Sequence, residues 1–208
     1  MGAGGDHARW LASARDWVTA AERAYVAAAV GGSAAGAAHE GAGSTRELGD
    51  VAAAAAGAVA SRFLAVGTPR SLGLVGDAPA AALSLAAHRV WFRPTDIRWA
   101  AVGGGGRDAL VGRPASIAEA LAADIVCIHA PIALAAVQLR RGTHVNALAA
   151  VELDDELRAL ATIADEAAGL PALAAGLRDG RQLDELTVFV AGELTIAHRV
   201  MRGFALPA

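Results

Sequence analysis

The stretch Ser71-Leu72-Gly73-Leu74-Val75-Gly76-Asp77-Ala78-Pro79-Ala80-Ala81 decides how the rest of this 208-residue chain is read. Ser71–Val75 lacks polar alternation, as a strand covered on both faces should. Gly76 supplies a turn, Asp77 is placed to cap a helix, and Pro79 suits a first helical turn. A helix over Ala78–Ala87 follows. A strand passing through a glycine turn straight into a helix is the opening unit of a βαβ fold.

Working outward, the same alternation repeats. Further strands are expected at Arg89–Phe92, Ala109–Val111, Asp124–Ile128, Thr143–Leu148, Ala161–Ile163 and Thr187–Val190. Helices are expected at Ser116–Ala122, Ile132–Leu139 and Asp154–Leu160. This pitch predicts an α/β chain of the Rossmann-like, doubly wound class with a mostly parallel sheet. Two helices precede it, Trp10–Val30 and Thr45–Val66, whose alanine-rich faces suit close packing on the sheet. Residues 31–45 read as a Gly/Ala/Ser linker, and the four glycines 103–106 as a loop. The expected organisation is 1–45 as helix plus linker, 46–195 as the Rossmann-like unit, and 196–208 as a C-terminal helix and tail.

Composition narrows the chemistry. More than a quarter of the residues are alanine, and all 18 basic side chains are arginine. Without lysine there is no Schiff base, no P-loop lysine and no lysine general base. A net charge of −3 gives no footprint for nucleic acid. No run is apolar and long enough to span a bilayer, and no signal-peptide core is evident, so a cytoplasmic protein is expected. Cys127 is the only cysteine, which excludes an internal disulfide and a cysteine zinc cluster.

Several segments together resemble the ornithine cyclodeaminase, μ-crystallin and archaeal-type alanine dehydrogenase family. Gly142-Thr143-His144-Val145-Asn146-Ala147 resembles its fifth-strand signature. Ser116–Ala120 with Ala123-Asp124-Ile125-Val126 resembles the preceding helix and strand. Leu186-Thr187-Val188-Phe189 with Gly192, Arg62–Leu64, and Ala21-Glu22-Arg23-Ala24-Tyr25 complete the match. The resemblance implies NADP or NAD as cofactor and chemistry on a small amino or imino acid. It places Gly73, Gly76, Asp77, Ala78, Arg93, His129, Asn146 and Gly192 among the cofactor-binding positions. Arg93, read at the end of the second strand, would suit the 2′-phosphate of NADP.

The departures are as informative. The family carries a β-rich substrate and dimerisation domain where this chain has only residues 31–45, and that domain supplies the substrate-contacting arginine and lysine. The loop bearing the family's catalytic aspartate is also missing, since Ala149-Ala150 runs directly into Val151-Glu152-Leu153-Asp154.

The glycine turn itself supports two readings. Gly76 and the small Ala81 suit a pyrophosphate cradle, but Ala78 crowds the place of the middle glycine. Asp77 would face the phosphates, costing about 4 kcal/mol per unit-charge pair at roughly 4 Å and an effective dielectric near 20. Asp77 therefore reads equally as the N-cap of a helix with no pyrophosphate site.

Among other candidates, His129 follows the fourth strand at the edge where open α/β sheets bind ligands. With Glu152 it is the candidate for proton transfer, while Asp165 and Glu166 are further cleft candidates. His144 reads as a hydrogen-bonded core residue and Cys127 as a packing residue. Glu152–Glu156 read first as the capped, acidic start of a helix, and no metal is expected. Two functions follow. One is a degenerate relative kept as a non-catalytic partner or ligand-binding module, with a second copy or another protein covering the face of the lost domain. The other is a divergent NAD(P)-dependent oxidoreductase in a biosynthetic pathway.

Overall fold

The computed structural model describes residues 3–31, 45–102, 111–167, 169–180 and 184–204. The stretches 32–44 and 103–110, which hold most of the expected linker and the four-glycine run, lie outside the described residues. The sheet is β1 (Ser71–Val75), β2 (Asp96–Ala100), β3 (Arg113–Pro114), β4 (Ile125–Ile128), β6 (His144–Ala147), β8 (Thr162–Asp165) and β9 (Thr187–Val190). Its order is β3-β2-β1-β4-β6-β9-β8, and every pair is parallel. The doubly wound α/β class read from the sequence is the class found.

Alternate residues of each strand serve opposite faces. Leu72 and Leu74 of β1 join Ile125 and Cys127 of β4 under α4 (Ala78–His88). Val75, Val126, Ile128, Val145 and Val188 form the opposite core with Leu121 of α5 (Ile117–Leu121) and Leu157 of α6 (Asp155–Leu160). Gly73 points into that second face. A Cβ there would lie 2.0 Å from the backbone oxygen of Ala120, so its hydrogen lets α5 close on the sheet.

The α4 face is covered further by α2 (Ala14–Ala29), α3 (Thr45–Leu64), α7 (Leu170–Ala174) and α8 (Thr195–Phe204). The expected first helix is two, because the chain breaks at Ser13, whose hydroxyl donates to the Arg9 carbonyl at 3.0 Å; α1 covers Ala3–Ala12. Alanine density has a direct use in α3, where Ala52, Ala54, Ala55, Ala56, Ala58 and Ala60 are all fully buried.

Three expected elements are corrected. Arg89–Phe92 is not a strand: Arg89 caps α4, and the N–H groups of Trp91 and Phe92 both donate to the His88 carbonyl. The second strand is Asp96–Ala100 instead, polar because Asp96 pairs with Arg98 and Arg113 near the sheet edge. Ile132–Leu139 is not a helix. It forms β5 (Ile132–Leu134) and a 3-10 turn (Ala136–Gln138), and β5 pairs with β7 (Val151–Leu153) in a separate two-stranded parallel sheet. The expected strand Ala109–Val111 falls partly outside the described residues; the described third strand is β3, and Val111 is a buried turn residue.

Candidate functional site

Strand order reverses between β1 and β4, so the crevice at their carboxyl ends is where an open α/β sheet binds ligands. Gly76 and His129 meet there. Gly76 has φ +141°, and a Cβ on it would lie 2.8 Å from the His129 Cβ. Its N–H donates to the Ala100 carbonyl at 3.0 Å, and the Trp99 indole donates to its carbonyl at 3.1 Å. The turn is thus fixed by two hydrogen bonds to β2.

Asp77 is the N-cap read from the sequence. Its Oδ1 accepts from the Ala80 N–H at 3.1 Å. Its Oδ2 takes the Arg46 guanidinium at 2.5 Å, across from the start of α3. Arg46 also lies 4.0 Å from Asp50. Burial and then the charge of Asp77 push the Asp50 carboxyl above its usual range.

His129 receives a 2.8 Å contact at Nε2 from the Ser84 hydroxyl, and its N–H donates to the Val75 carbonyl. Part of its surface reaches solvent, yet protein encloses the ring on most sides. That desolvation lowers its pKa to about 4, against the raising effect of Asp77. It is therefore a neutral imidazole at physiological pH.

Behind the site lies a buried polar chain that the sequence reading found only at its ends. His88 Nδ1 faces the Ser84 carbonyl at 2.7 Å and must donate to it. His88 Nε2 then accepts from the Ser61 hydroxyl at 2.9 Å, and Ser61 accepts from Asn146 Nδ2 at 2.8 Å. Asn146 Oδ1 accepts from His144 Nε2 at 3.1 Å, which leaves His144 Nδ1 to accept from Thr187 at 2.8 Å. Every member is satisfied while neutral, as burial requires. Desolvation lowers His88 to about 4 and raises the Cys127 thiol beside it to about 12. Cys127 is fully buried in the core under α4, the packing position expected of it, and His144 is a hydrogen-bonded core residue, as expected.

The remaining candidates do not assemble at the crevice. Arg93 precedes β2 and is exposed, so it stands at the amino edge of the sheet and not at the carboxyl end assumed for a 2′-phosphate contact. Asn146 is fully buried in the polar chain, and Gly73 is a packing position in β1. Ala78 opens α4 beside Asp77, and Gly192 lies just past β9, two strands from β4 in the sheet, with open space around it.

Glu152 is exposed on β7. It lines a groove of about 510 Å3 with Ala133, Leu134, Ala135, Val137 and Gln138, a lining that includes neither His129 nor Gly76. Asp154 caps α6 through the Leu157 N–H. Asp165 ends β8 on an exposed position. Glu166 is buried and accepts from the Tyr25 hydroxyl (2.8 Å) and the N–H groups of Ile196 and Ala197 (3.1 and 3.0 Å). It caps α8 from outside the helix and is not a cleft residue. Arg46, Ser84, Ser61, His88 and Tyr25 carry no local sequence signal for these roles. Their partners lie 27 to 141 residues away, except for the Ser84–His88 contact inside α4 and the Arg46–Asp50 pair inside α3. Among the described residues, no three His, Cys, Asp or Glu side chains gather in a way that could hold a metal ion.

A dinucleotide fits this turn poorly. Of the N–H groups opening α4, that of Ala80 is taken by the Asp77 carboxylate and that of Ala81 by the Asp77 carbonyl; Pro79 has none. The anion that a helix start attracts is already supplied by the chain itself.

No family model matches the chain, and no curated protein does. Solved structures do. An archaeal alanine dehydrogenase dimer with bound NAD is 20% identical, with a TM-score of 0.61 over 76% of this chain and 63% of that one. The Δ1-pyrroline-2-carboxylate reductase of Thermococcus litoralis, in complex with NADH and L-proline, is 18% identical, with a TM-score of 0.63 over 76% and 64%. A probable ornithine cyclodeaminase of Bordetella pertussis Tohama I is 20% identical, with a TM-score of 0.63 over 74% and 63%. The chain spans less than two thirds of the length of each of these structures. The fold is therefore that of the ornithine cyclodeaminase and alanine dehydrogenase structures, as the resemblance in sequence implied.

Proposed function

We propose that this chain is a cyclodeaminase-fold module that carries out no hydride transfer and acts as a folded partner or ligand-binding module. The observation that carries this reading is the state of the crevice. Among the described residues, the ionisable groups that meet at the β1–β4 switch point are Asp77, held by α4 and Arg46, and His129, neutral and bound to Ser84. Acid–base catalysis needs a group poised near the working pH within reach of the reacting atom. A histidine with a pKa of about 4 is a weak base and no proton donor at neutral pH. Glu152 opens onto a different groove, and the sequence offers no lysine in its place.

The groove beside β5 and β7, with Val137 88% exposed at its rim, supports a role in binding. An exposed apolar lining of this kind is more typical of contact with a partner or ligand than of solvent.

The test is turnover. The purified chain is incubated with NADH or NADPH and a panel of small cyclic imino acids, and separately with ornithine and NAD. No cofactor oxidation or ammonia release is expected. The second reading is an NAD(P)-dependent oxidoreductase acting on a small amino or imino acid, and the place of His129 beside Gly76 favours it. Steady-state turnover that is lost in His129→Ala would establish that reading and end the first.

A further inference from the structure

We propose that the Arg46–Asp77 ion pair is an internal occupant of the phosphate position, a clasp that holds the crevice of this chain closed to anions. It deepens the non-catalytic reading by naming the contact that would enforce it. Three observations converge. The Asp77 carboxylate occupies the start of α4 in two ways at once, accepting the Ala80 N–H through Oδ1 and binding Arg46 through Oδ2. Arg46 comes from a different element, at the start of α3, and its side chain is 78% exposed. It could swing to an incoming phosphate only by leaving Asp77. Asp50 stands on the other side of the same guanidinium at 4.0 Å, so two carboxylates share one cation and the mouth keeps a negative balance.

Among the described residues, His7 adds only the weakest of the influences on the Asp50 carboxyl and does not reverse that balance. His129, packed behind the turn, is neutral, and Glu47 adjoins Arg46 in sequence and lies 3.9 Å from His7. The turn is hemmed in on the side of His129, because at Gly76, with φ +141°, the space a Cβ would take is already filled by the His129 Cβ. An anion entering here must displace a charge-assisted contact and meet an uncompensated carboxylate. The clasp thus does internally what a dinucleotide phosphate would do at the same helix start, and excludes it.

The experiment is calorimetric titration of the full chain with inorganic pyrophosphate and, separately, with NADH. The set is the unaltered protein, Asp77→Gly, Asp77→Asn, and Asp77→Gly combined with Arg46→Ala. Glycine is accepted at an N-cap at little cost, and asparagine keeps the cap while removing the charge. No pyrophosphate binding is expected for the unaltered chain. Asp77→Gly should gain affinity on the order of 100-fold or more, since the carboxylate leaves and Arg46 is freed. Asp77→Asn should gain less, and the double variant should lose most of the gain.

The proposal fails if the unaltered chain binds pyrophosphate as tightly as Asp77→Gly. It fails equally if Asp77→Gly and Asp77→Asn, each shown by its thermal transition to be folded, gain nothing. Should Asp77→Gly not fold, Asp77→Asn alone decides. The two readings fail separately. Turnover of an imino acid would end the non-catalytic function, whereas pyrophosphate binding by an inert unaltered chain would end only the clasp.

Discussion

At the scale of the residue, the buried side chains that resemble catalytic groups are mostly doing structural work. Glu166 is the clearest case. Its carboxylate gathers the Tyr25 hydroxyl and two N–H groups of α8 in a buried setting. Removing it leaves four donors without their acceptor, counting the Thr195 hydroxyl, and of these the Tyr25 hydroxyl and the Ala197 N–H are buried. Glu166→Ala should destabilise the chain by about 3 kcal/mol and Tyr25→Phe by about 1 kcal/mol, read from urea unfolding. His88 makes a second prediction, in pH. Its pKa is about 4 when folded against 6.5 as the reference value. The unfolded chain therefore takes up a proton that the folded chain refuses. Stability from this group is intact above pH 6.5, falls as pH drops from 6.5 to about 4, and is then flat. The full loss is roughly 3 kcal/mol. His129 acts in the same direction, discounted because it is partly exposed. Chemical denaturation at pH 7, 5.5 and 4.5 should show the decline, and His88→Gln should flatten it.

At the scale of the element, close approach decides what is tolerated. Gly73→Ala would drive a methyl group against the Ala120 carbonyl of α5. Backbone cannot yield as a side-chain tip can, so a loss of about 3 kcal/mol or more is expected, read as a fall in the thermal midpoint or in soluble yield. The same scale explains what the sequence made legible. β1, β4 and β9 are short, mostly apolar runs covered on both faces, and their composition announces them; β6 is as buried but carries His144 and Asn146. β2 escapes the apolar pattern because it carries Asp96 and Arg98, and the pairing of Asp96 with Arg113 is made only in three dimensions. β5 reads as helix in sequence because three residues with a 3-10 turn carry the apolar content of a helical turn or two. Only pairing with β7, across Ile132 and Val151, marks it as strand. The site divides in the same way. The Asp77 cap is local chemistry and was readable. The Arg46 contact and the Ser84–His129 contact span 31 and 45 residues, and no motif records them.

At the scale of the molecule, the two N-terminal helices belong to the core of the sheet. Trp17 is fully buried and donates from its indole to the Trp10 carbonyl at 2.9 Å. Val18, Ala21 and Tyr25 join α3, α7 and α8 in one apolar cluster. Arg62 of α3 reaches both carboxylate oxygens of Glu22 at 2.6 and 2.7 Å while its guanidinium lies over the Trp91 ring at 5.0 Å. This layer also holds Ser61 in register with Asn146 and His88, so the buried polar chain behind the crevice depends on it. Loss of the layer should therefore be felt at His129, through Ser61, His88 and Ser84. Trp17→Ala creates a cavity where an aromatic side chain was fully enclosed and should cost about 3–5 kcal/mol. Trp17→Phe keeps most of the volume, loses the indole donor, and should cost far less. Urea unfolding of the two variants separates those contributions. Nitrogen-15 spectra of the histidine rings report whether the His88 tautomer, with the proton on Nδ1, is lost along with the packing. An unchanged His88 tautomer in a strongly destabilised Trp17→Ala would show that the polar chain is held by the sheet and α4 alone, independently of the N-terminal layer.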